Sequence, residues 1–495
     1  MKKTWKCRPT LACSSITARV AAFAFSRSKA IAACSAPTAQ FAVLRYRKGT
    51  AAMAEAFDFI AIGSGTAAQV AVHQMADAGK RCAVIDYRPY GGTCALRGCD
   101  PKKMMVSGEE ALAAHRRLKG KGIEGSVSID WGDLQAFKRS FTDPVPEKQE
   151  ARYERKGVAT FHGAARFAGP DRIAVGDREL SFSHALIATG AEPRPLGIEG
   201  EPLLTHSDAF LELETLPDRI VFVGGGYIAA EFAHLAARAG AKVTIIQRGR
   251  ILKAFDPDTV DWLMPSFDDL GIEIVDAEVN SVAKRGGVLT VHAGDRRIEG
   301  DLVVHAAGRV PAIGSLDLGA GDVACDEGRL VLTAQLRSQS NPKVFAAGDA
   351  AANGPPLTPV SSHDAKVVLE NILEDSGRAP NYCGVPSALF TEPPAARVGM
   401  LESEAHEAGL DFTVNAGSHP GWFSARRLNE EIYGHKVLVE TRTGRILGAH
   451  LVGPDADELI NIFGLAIRHG LNADDIKSTM FAYPTAASDA GSMLG

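Results

Sequence analysis

The sequence predicts an α/β protein, with two Rossmann-like dinucleotide-binding units followed by a C-terminal α+β region. Three observations carry this. A strand, a glycine turn and a helix run from Phe57 to Gly79 and recur from Ile220 to Gly240, with Gly63 and Gly224 161 residues apart. A close cysteine pair, Cys94 and Cys99, lies between the two units. From Val385 the pattern changes to alternating strands, with helices expected around 402–408, 454–470 and 472–478.

At 495 residues the chain is long enough for two to four domains, and 45% hydrophobic content fits a globular protein. No apolar run reaches the roughly 18 residues of a membrane helix. Residues 1–52 stand apart, with ten Lys and Arg and no acid. Of the whole chain's 54 basic residues 44 therefore remain against 59 acids, and the rest of the chain carries about −15. That balance argues against nucleic acid or an anionic membrane as partner.

Three origins compete for residues 1–52. Arg and Ser richness without acids fits an organellar transit peptide. A secretory core is interrupted by Arg19, Arg27 and Lys29. Met53-Ala-Glu-Ala-Phe57 reads as a start just before the first strand, which favours translated upstream sequence. Cys7, Cys13 and Cys34 lie in this extension, and Cys82, Cys325 and Cys383 are isolated, so the core holds one dedicated pair, as in an intracellular protein. A cytoplasmic location is expected, or an organellar one if the extension is a transit peptide.

The strand Phe57–Ile62 enters Gly63-Ser-Gly65-Thr-Ala-Ala68, and the next strand, Cys82–Ile85, ends at Asp86. This is a dinucleotide fingerprint with Ala68 in the last glycine slot. Small residues admit a pyrophosphate to the backbone, free N–H groups at the helix start bind it, and Asp86 is placed to accept from a ribose. The second unit repeats the arrangement with Gly224, Gly226, Tyr227 and Ile228. Gly79 follows Gly65 by the same 14 residues that separate Gly240 from Gly226. Between the units, residues 101–156 read as two helical segments broken at 120–125 and Pro144, and residues 158–187 as short strands.

The pair sits in Gly91-Gly92-Thr93-Cys94-Ala95-Leu96-Arg97-Gly98-Cys99-Asp100-Pro101-Lys102-Lys103. By itself a cysteine pair is compatible with a structural disulfide, half a zinc site or two buried thiols. Zinc needs four ligands, and no second close pair lies nearby, so no metal site is expected. A structural disulfide is disfavoured in a cytosolic chain.

With its flanks, the stretch resembles the redox-active motif of the pyridine nucleotide–disulfide oxidoreductases, the flavoenzyme family of glutathione reductase, dihydrolipoamide dehydrogenase and mercuric reductase. The resemblance runs from about residue 56 to the C-terminus. It implies a FAD-binding domain in two parts, 53–193 and 305–384, around a nicotinamide-binding domain, 194–304, with a dimerisation domain at 385–495. It also implies a homodimer acting on a small-molecule substrate. Thr189-Gly190 and Gly308-Arg309 resemble the family's crossovers between domains. Asp349, after Gly348, would receive the flavin's ribityl chain. Thr358 opens a helix aimed at the flavin, whose dipole stabilises an anionic ring. The resemblance implies Gly92, Thr93 and Lys103 as further cofactor contacts, although Lys103 reads better as a solvated helix end.

The implied chemistry is a relay from nicotinamide to flavin to the Cys94–Cys99 disulfide. Cys99 would be the flavin-proximal thiolate and Cys94 the thiol that attacks substrate. Lys102 pairs with Glu231 beside the flavin, and Tyr227 is the lid over the nicotinamide site. The nicotinamide can be argued directly. The position equivalent to Asp86 is Gln247, followed by Arg248, Arg250 and Lys253. An acid there would repel a 2′-phosphate, whereas arginines hold one, so NADPH is expected.

One motif is broken. Disulfide-reducing members supply a His–Glu dyad from the partner subunit. Here Tyr483 stands at the histidine position and Ser488 at the glutamate position. Phenols ordinarily titrate near pH 10, so tyrosine does not cycle protons at neutral pH as histidine does. Mercuric reductase shares the tyrosine but carries a C-terminal cysteine pair, and this chain has no cysteine after Cys383. His419, His435, His450 and His469 remain as alternative proton carriers. A disulfide reductase, a reductase of metal ions or quinones, and a redox-sensing flavoprotein all stay open.

Overall fold

The computed structural model describes residues 55–495, so the expectations for residues 1–52 and for a start at Met53 lie outside the described residues. The first strand, β1 (Glu55–Ile62), begins two residues before Phe57 because Glu55 and Ala56 already pair with Leu180 and Ser181. It feeds α1 (Thr66–Asp77) and β2 (Cys82–Asp86). Next come α2 (Gly92–Arg97), α3 (Cys99–Leu118), α4 (Trp131–Thr142) and α5 (Val145–Arg155).

The expectation of two helical segments over 101–156 is thus corrected to three helices, the first starting at Cys99 itself. Gly98 separates α2 from α3, and Pro101 fits α3's first turn, where a missing N–H costs nothing. Asp130 caps α4 by accepting from the Asp133 N–H, and α5 follows Pro144. Four strands follow: β3 (Ala159–His162), β4 (Ala165–Gly169), β5 (Arg172–Val175) and β6 (Arg178–Ile187). Sheet order is β3-β2-β1-β6-β5-β4, parallel from β3 to β6 and antiparallel beyond. Phe59 and Ile60 of central β1 are fully buried, each worth about 1.5–3 kcal/mol.

The chain leaves through β7 (Ala191–Pro193) and α6 (Ser207–Phe210) into β8 (Arg219–Val223), α7 (Tyr227–Arg238), β9 (Lys242–Gln247), α8 (Pro257–Asp269) and β10 (Glu273–Asp276). A three-stranded antiparallel insert, β11 (Val279–Arg285), β12 (Val288–Ala293) and β13 (Arg296–Gly300), precedes β14 (Leu302–His305). The second parallel sheet runs β10-β9-β8-β14. Return is by β15 (Arg309–Pro311), which pairs with β7 as a two-stranded ribbon. A short hairpin, β16 (Cys325–Asp326) and β17 (Arg329–Leu330), then leads to β18 (Val344–Ala346), which joins β6 as the first sheet's seventh strand. The helix α9 (Thr358–Glu374) closes this part.

The C-terminal part is a five-stranded antiparallel sheet, formed by β19 (Ser387–Leu389), β20 (Ala395–Gly399), β21 (Phe412–Ser418), β22 (Gly434–Glu440) and β23 (Ile446–Val452) in the order β19-β20-β23-β22-β21. Its helices are α10 (Glu402–Glu407), α11 (Phe423–Arg426), α12 (Ala456–His469) and α13 (Ala473–Lys477). No helix among the described residues is long and apolar enough to cross a membrane.

Candidate functional site

Both glycine turns are shaped by what lies beneath them. Gly63 has a φ of 102°, and a Cβ there would meet the Ala188 carbonyl oxygen at 2.3 Å. Gly224, at 106°, would meet the Ala306 carbonyl oxygen at 2.4 Å. In each unit the turn therefore lies flat on the end of the strand that leaves the domain, and only glycine fits. Gly92 is equally tight, a Cβ coming within 2.3 Å of Gly65 Cα, which seats the start of α2 against the start of α1.

Asp86 accepts from the Ser64 N–H at 2.8 Å, the Ser64 hydroxyl at 2.6 Å and the Arg88 N–H at 3.0 Å. It braces the first turn, and Gln247 does the same in the second unit, accepting from the Gly225 N–H at 2.7 Å. Ala68 is fully buried in the slot expected to be small. No side chain caps α1 at Gly65 or α7 at Gly226, so first-turn N–H groups stay free for a phosphate. The Thr189 hydroxyl is buried without a protein partner at the crossover, beside Gly190. Asp349 follows Gly348, and burial raises its carboxyl against the pull of Arg309. This donor set fits a dinucleotide in the first unit.

Cys94 lies on the short α2 and Cys99 opens the long α3, and both meet the start of α9. The Thr358 hydroxyl donates to Cys94 Sγ at 3.1 Å and lies 3.6 Å from Cys99 Sγ. Both sulfurs thus face the first residue of a 17-residue helix, whose positive end favours a thiolate. The thiols are unequal. Contact with Cys94, helped by Thr358 and Lys102, pulls Cys99 down to about 6, against burial and Asp100. The same contact, with burial, pushes Cys94 up. Cys94 Sγ is also 3.8 Å from Asp100 Oδ1.

One turn along α3, Lys102 Nζ lies 2.5 Å from Glu231 Oε2 on α7, with Glu231 almost fully buried. Glu231 also accepts from the Phe390 N–H at 2.9 Å. The Lys102 ammonium stands 5.0 Å from the Phe390 ring centroid and 5.9 Å from that of Tyr227. Tyr227 and the half-buried Ile228 open α7. Thr93 is exposed next to Cys94.

Other named residues lie elsewhere. Lys103 pairs with Glu110 at 2.7 Å and Asp457 at 3.6 Å, which places it in a carboxylate pair on the helix flank. Arg248 contacts Glu278 at 3.3 Å, and Arg250 contacts Asp261 at 2.5 Å, both beside Gln247. Arg309, which follows Gly308 and opens β15, donates to the Ala191 carbonyl of β7. Tyr483 is 79% exposed on the C-terminal part, its ring 6.5 Å from that of exposed Phe423. Ser488 donates to the Thr485 carbonyl, and Asp489 accepts from Tyr433 at 2.8 Å.

His435 and His450 are buried in the C-terminal sheet, and burial lowers each to about 4. His419 stacks on Trp422, and His469 ends α12. None of these four histidines makes a hydrogen bond or ion pair to the cysteines. Sequence reasoning missed the contact of Thr358 with the sulfurs, the Asp100 carboxylate beside Cys94, and Phe390. Asp100 was available to it, because a carboxylate next to Cys99 on the first turn of a helix points back over the preceding residues.

A family model described as pyridine nucleotide-disulphide oxidoreductase matches residues 57–365, and that family's dimerisation-domain model matches residues 385–493. Glutathione reductase of Burkholderia cepacia is 30% identical over 438 residues, covering 88% of this chain and 97% of its own length. Mercuric reductase of Staphylococcus aureus is 30% identical over 445 residues, covering 87% of this chain and 80% of its own length. A solved structure, the Cu(II) complex of the HOCl-induced flavoprotein disulfide reductase RclA from Escherichia coli, superposes with a TM-score of 0.80 at 27% identity. That match covers 89% of this chain and 99% of that one. The chain therefore belongs to the pyridine nucleotide-disulphide oxidoreductases, flavoproteins that use FAD and NAD(P)H in oxidoreduction at sulfur.

Proposed function

We propose that this protein is an NADPH-dependent, FAD-containing homodimer that reduces a small-molecule disulfide through Cys94 and Cys99. The observation that supports it best is the unequal thiol pair bridged by Thr358 at the start of α9, one turn from Lys102. The domain limits proposed are 53–193 with 305–384 for FAD, 194–304 for NADPH and 385–495 for dimerisation. A cytoplasmic location, with neither nucleic acid nor membrane as partner, completes the reading.

Bound flavin supplies the conversion of a nicotinamide hydride into two electrons for the Cys94–Cys99 disulfide. Gly63, Gly65, Ala68 and Asp86 shape its pyrophosphate turn, while Thr189, Gly190, Asp349 and Thr358 line the remainder. Lys102, neutralised by Glu231, offers a donor at the site and favours the Cys99 thiolate. Cys94 gives up its proton, attacks one sulfur of the substrate disulfide and expels the other as thiolate. Cys99 then attacks the Cys94 sulfur, releases the second thiolate and re-forms the Cys94–Cys99 bond. Each cycle consumes one NADPH and one solvent proton and yields two thiols.

The test is NADPH oxidation with glutathione disulfide, lipoamide, mercuric ion and quinones as acceptors. A disulfide should be reduced in a reaction that Cys94→Ser abolishes. Turnover confined to quinones and unaffected by Cys94→Ser would overturn the reading. A soft metal ion is the second reading, favoured by a phenol at position 483 where disulfide reductases carry histidine.

Arg248 and Arg250 are 75% and 41% exposed, so a 2′-phosphate can compete with Glu278 and Asp261 for them. Reversing both to Glu should cost NADPH roughly 1.5–3 kcal/mol per lost charge-assisted contact and leave NADH nearly unchanged. Comparison of kcat/KM for the two nucleotides checks this. Equal efficiency in the unmodified protein would remove the basis for the assignment.

A further inference from the structure

Behind the redox pair, α3 and α7 are joined by a second buried ion pair. Arg238 Nε donates to Glu109 Oε1 at 3.0 Å, and His234 Nδ1 lies 3.8 Å from the same oxygen. Glu109 and His234 are fully buried and Arg238 is 10% exposed. Glu109 follows Lys102 by seven residues, as Arg238 follows Glu231. On both helices that is two turns, about 10.5 Å.

The pairs Lys102–Glu231 and Glu109–Arg238 are therefore two rungs between the same helices, with Met105 buried on α3 between Lys102 and Glu109. Their polarity is opposite, base to acid and then acid to base. A slip of two turns would bring Glu109 onto Glu231 or Lys102 onto Arg238, like charges in a buried seam.

The same face of α7 grips a third segment. The Phe390 N–H donates to Glu231, the Glu392 N–H to His234 Nδ1 at 3.4 Å, and Arg238 Nη2 to the Glu392 carbonyl at 2.7 Å. The Glu392 side chain is in turn held by Arg117 of α3, which also meets Glu430 at 2.9 Å.

We propose that Glu109 is a positioning residue for the redox pair: bound by Arg238 and packed against His234, it sets the register of α3 on α7 that brings Lys102 onto Glu231, one turn from Cys99. The proposal rests on the reading of Cys99 as the resident thiolate. The charged and titratable groups facing Glu109 are His234 and Arg238 from α7, Glu392 with Arg117 behind it, and Glu110 on its own helix. Burial raises the Glu109 carboxyl, and the Arg238 guanidinium at 3.0 Å pulls it back toward the charged form.

The test follows the initial rate of Cys99 alkylation by iodoacetamide against pH in dithiothreitol-reduced, desalted holoprotein, with the Cys99 peptide quantified by mass spectrometry and no nicotinamide present. Unmodified protein should show a midpoint near 6. Glu109→Gln and Arg238→Lys should each raise it by about half a pH unit or more, because Lys102 loses its fixed place near the thiolate. Lys102→Met should raise it as well, and Glu109→Gln added to Lys102→Met should raise it no further. An unchanged midpoint in Glu109→Gln, or an equal shift with Lys102 absent, would overturn the proposal. If Glu109→Gln fails to fold with flavin, Arg238→Lys decides by the same criterion. A midpoint near that of a free thiol, about 8.5, in unmodified protein would defeat the reading of Cys99 itself, and the proposal with it.

Discussion

Replacing Cys99 with serine should abolish the long-wavelength thiolate-to-flavin absorption that two-electron reduction produces, whereas Cys94→Ser should retain it. The two sulfurs share Thr358 but not their surroundings. Cys99 opens α3, accepts from its neighbours and lies one turn from Lys102, so charge stays on it down to about pH 6. Cys94 is the protonated partner that donates toward that charge. In Cys94→Ser a hydroxyl stands where the donor thiol was, and a lone thiolate remains. Its band should fade as pH falls through about 6, the direction expected when a thiol with a lowered value regains its proton. Spectra of both variants between pH 5 and pH 9 check this. A Cys94→Ser protein without such a band at any pH would reverse the assignments.

Installing a dyad by Tyr483→His with Ser488→Glu should raise disulfide turnover by about 10²-fold or more, since general acid–base assistance is typically worth 10²–10⁴-fold. The leaving thiolate of each cycle needs a proton, and the described residues place no histidine against the cysteines. Tyr483 stands out from the C-terminal part beside Phe423. Asp489 is already engaged by Tyr433, which removes it as a ready substitute. Flavin reduction by NADPH should be unchanged in the double variant, because proton delivery to the product thiol comes later. Glutathione disulfide reduction at roughly 10 per second by the unmodified protein, an ordinary enzymatic rate, would show that another group already moves the proton.

The legible parts of this chain are those whose cause is local. Gly63 and Gly224 can be read because the turn itself forbids a Cβ, and the strands beside them because apolar runs end at glycines. The insert β11 to β13 was not anticipated, since its strands alternate only partly and its role is to flank another sheet. The start of α3 at Cys99 was hidden by Gly98 and Pro101, which read as breakers but serve a helix start.

The site divides the same way. The proximity of Lys102 to Glu231 was reachable only through family resemblance, because 129 residues separate them. Thr358 was placed on the right helix, but its contact with two sulfurs 259 and 264 residues away left no trace in spacing. Lys103 and Asp86 have neighbours that position alone does not show: Glu110 and Asp457 for one, the Ser64 and Arg88 amides for the other.

Electrons should pass through flavin into Cys94–Cys99. An anaerobic titration of the unmodified holoprotein with NADPH tests it most directly. Flavin and disulfide each hold two electrons, so two equivalents of NADPH per flavin should be taken up, the first giving the long-wavelength band and the second bleaching the flavin. Cys94→Ser should take up one. Complete bleaching of the unmodified protein by a single equivalent, with no intermediate band, would contradict the account.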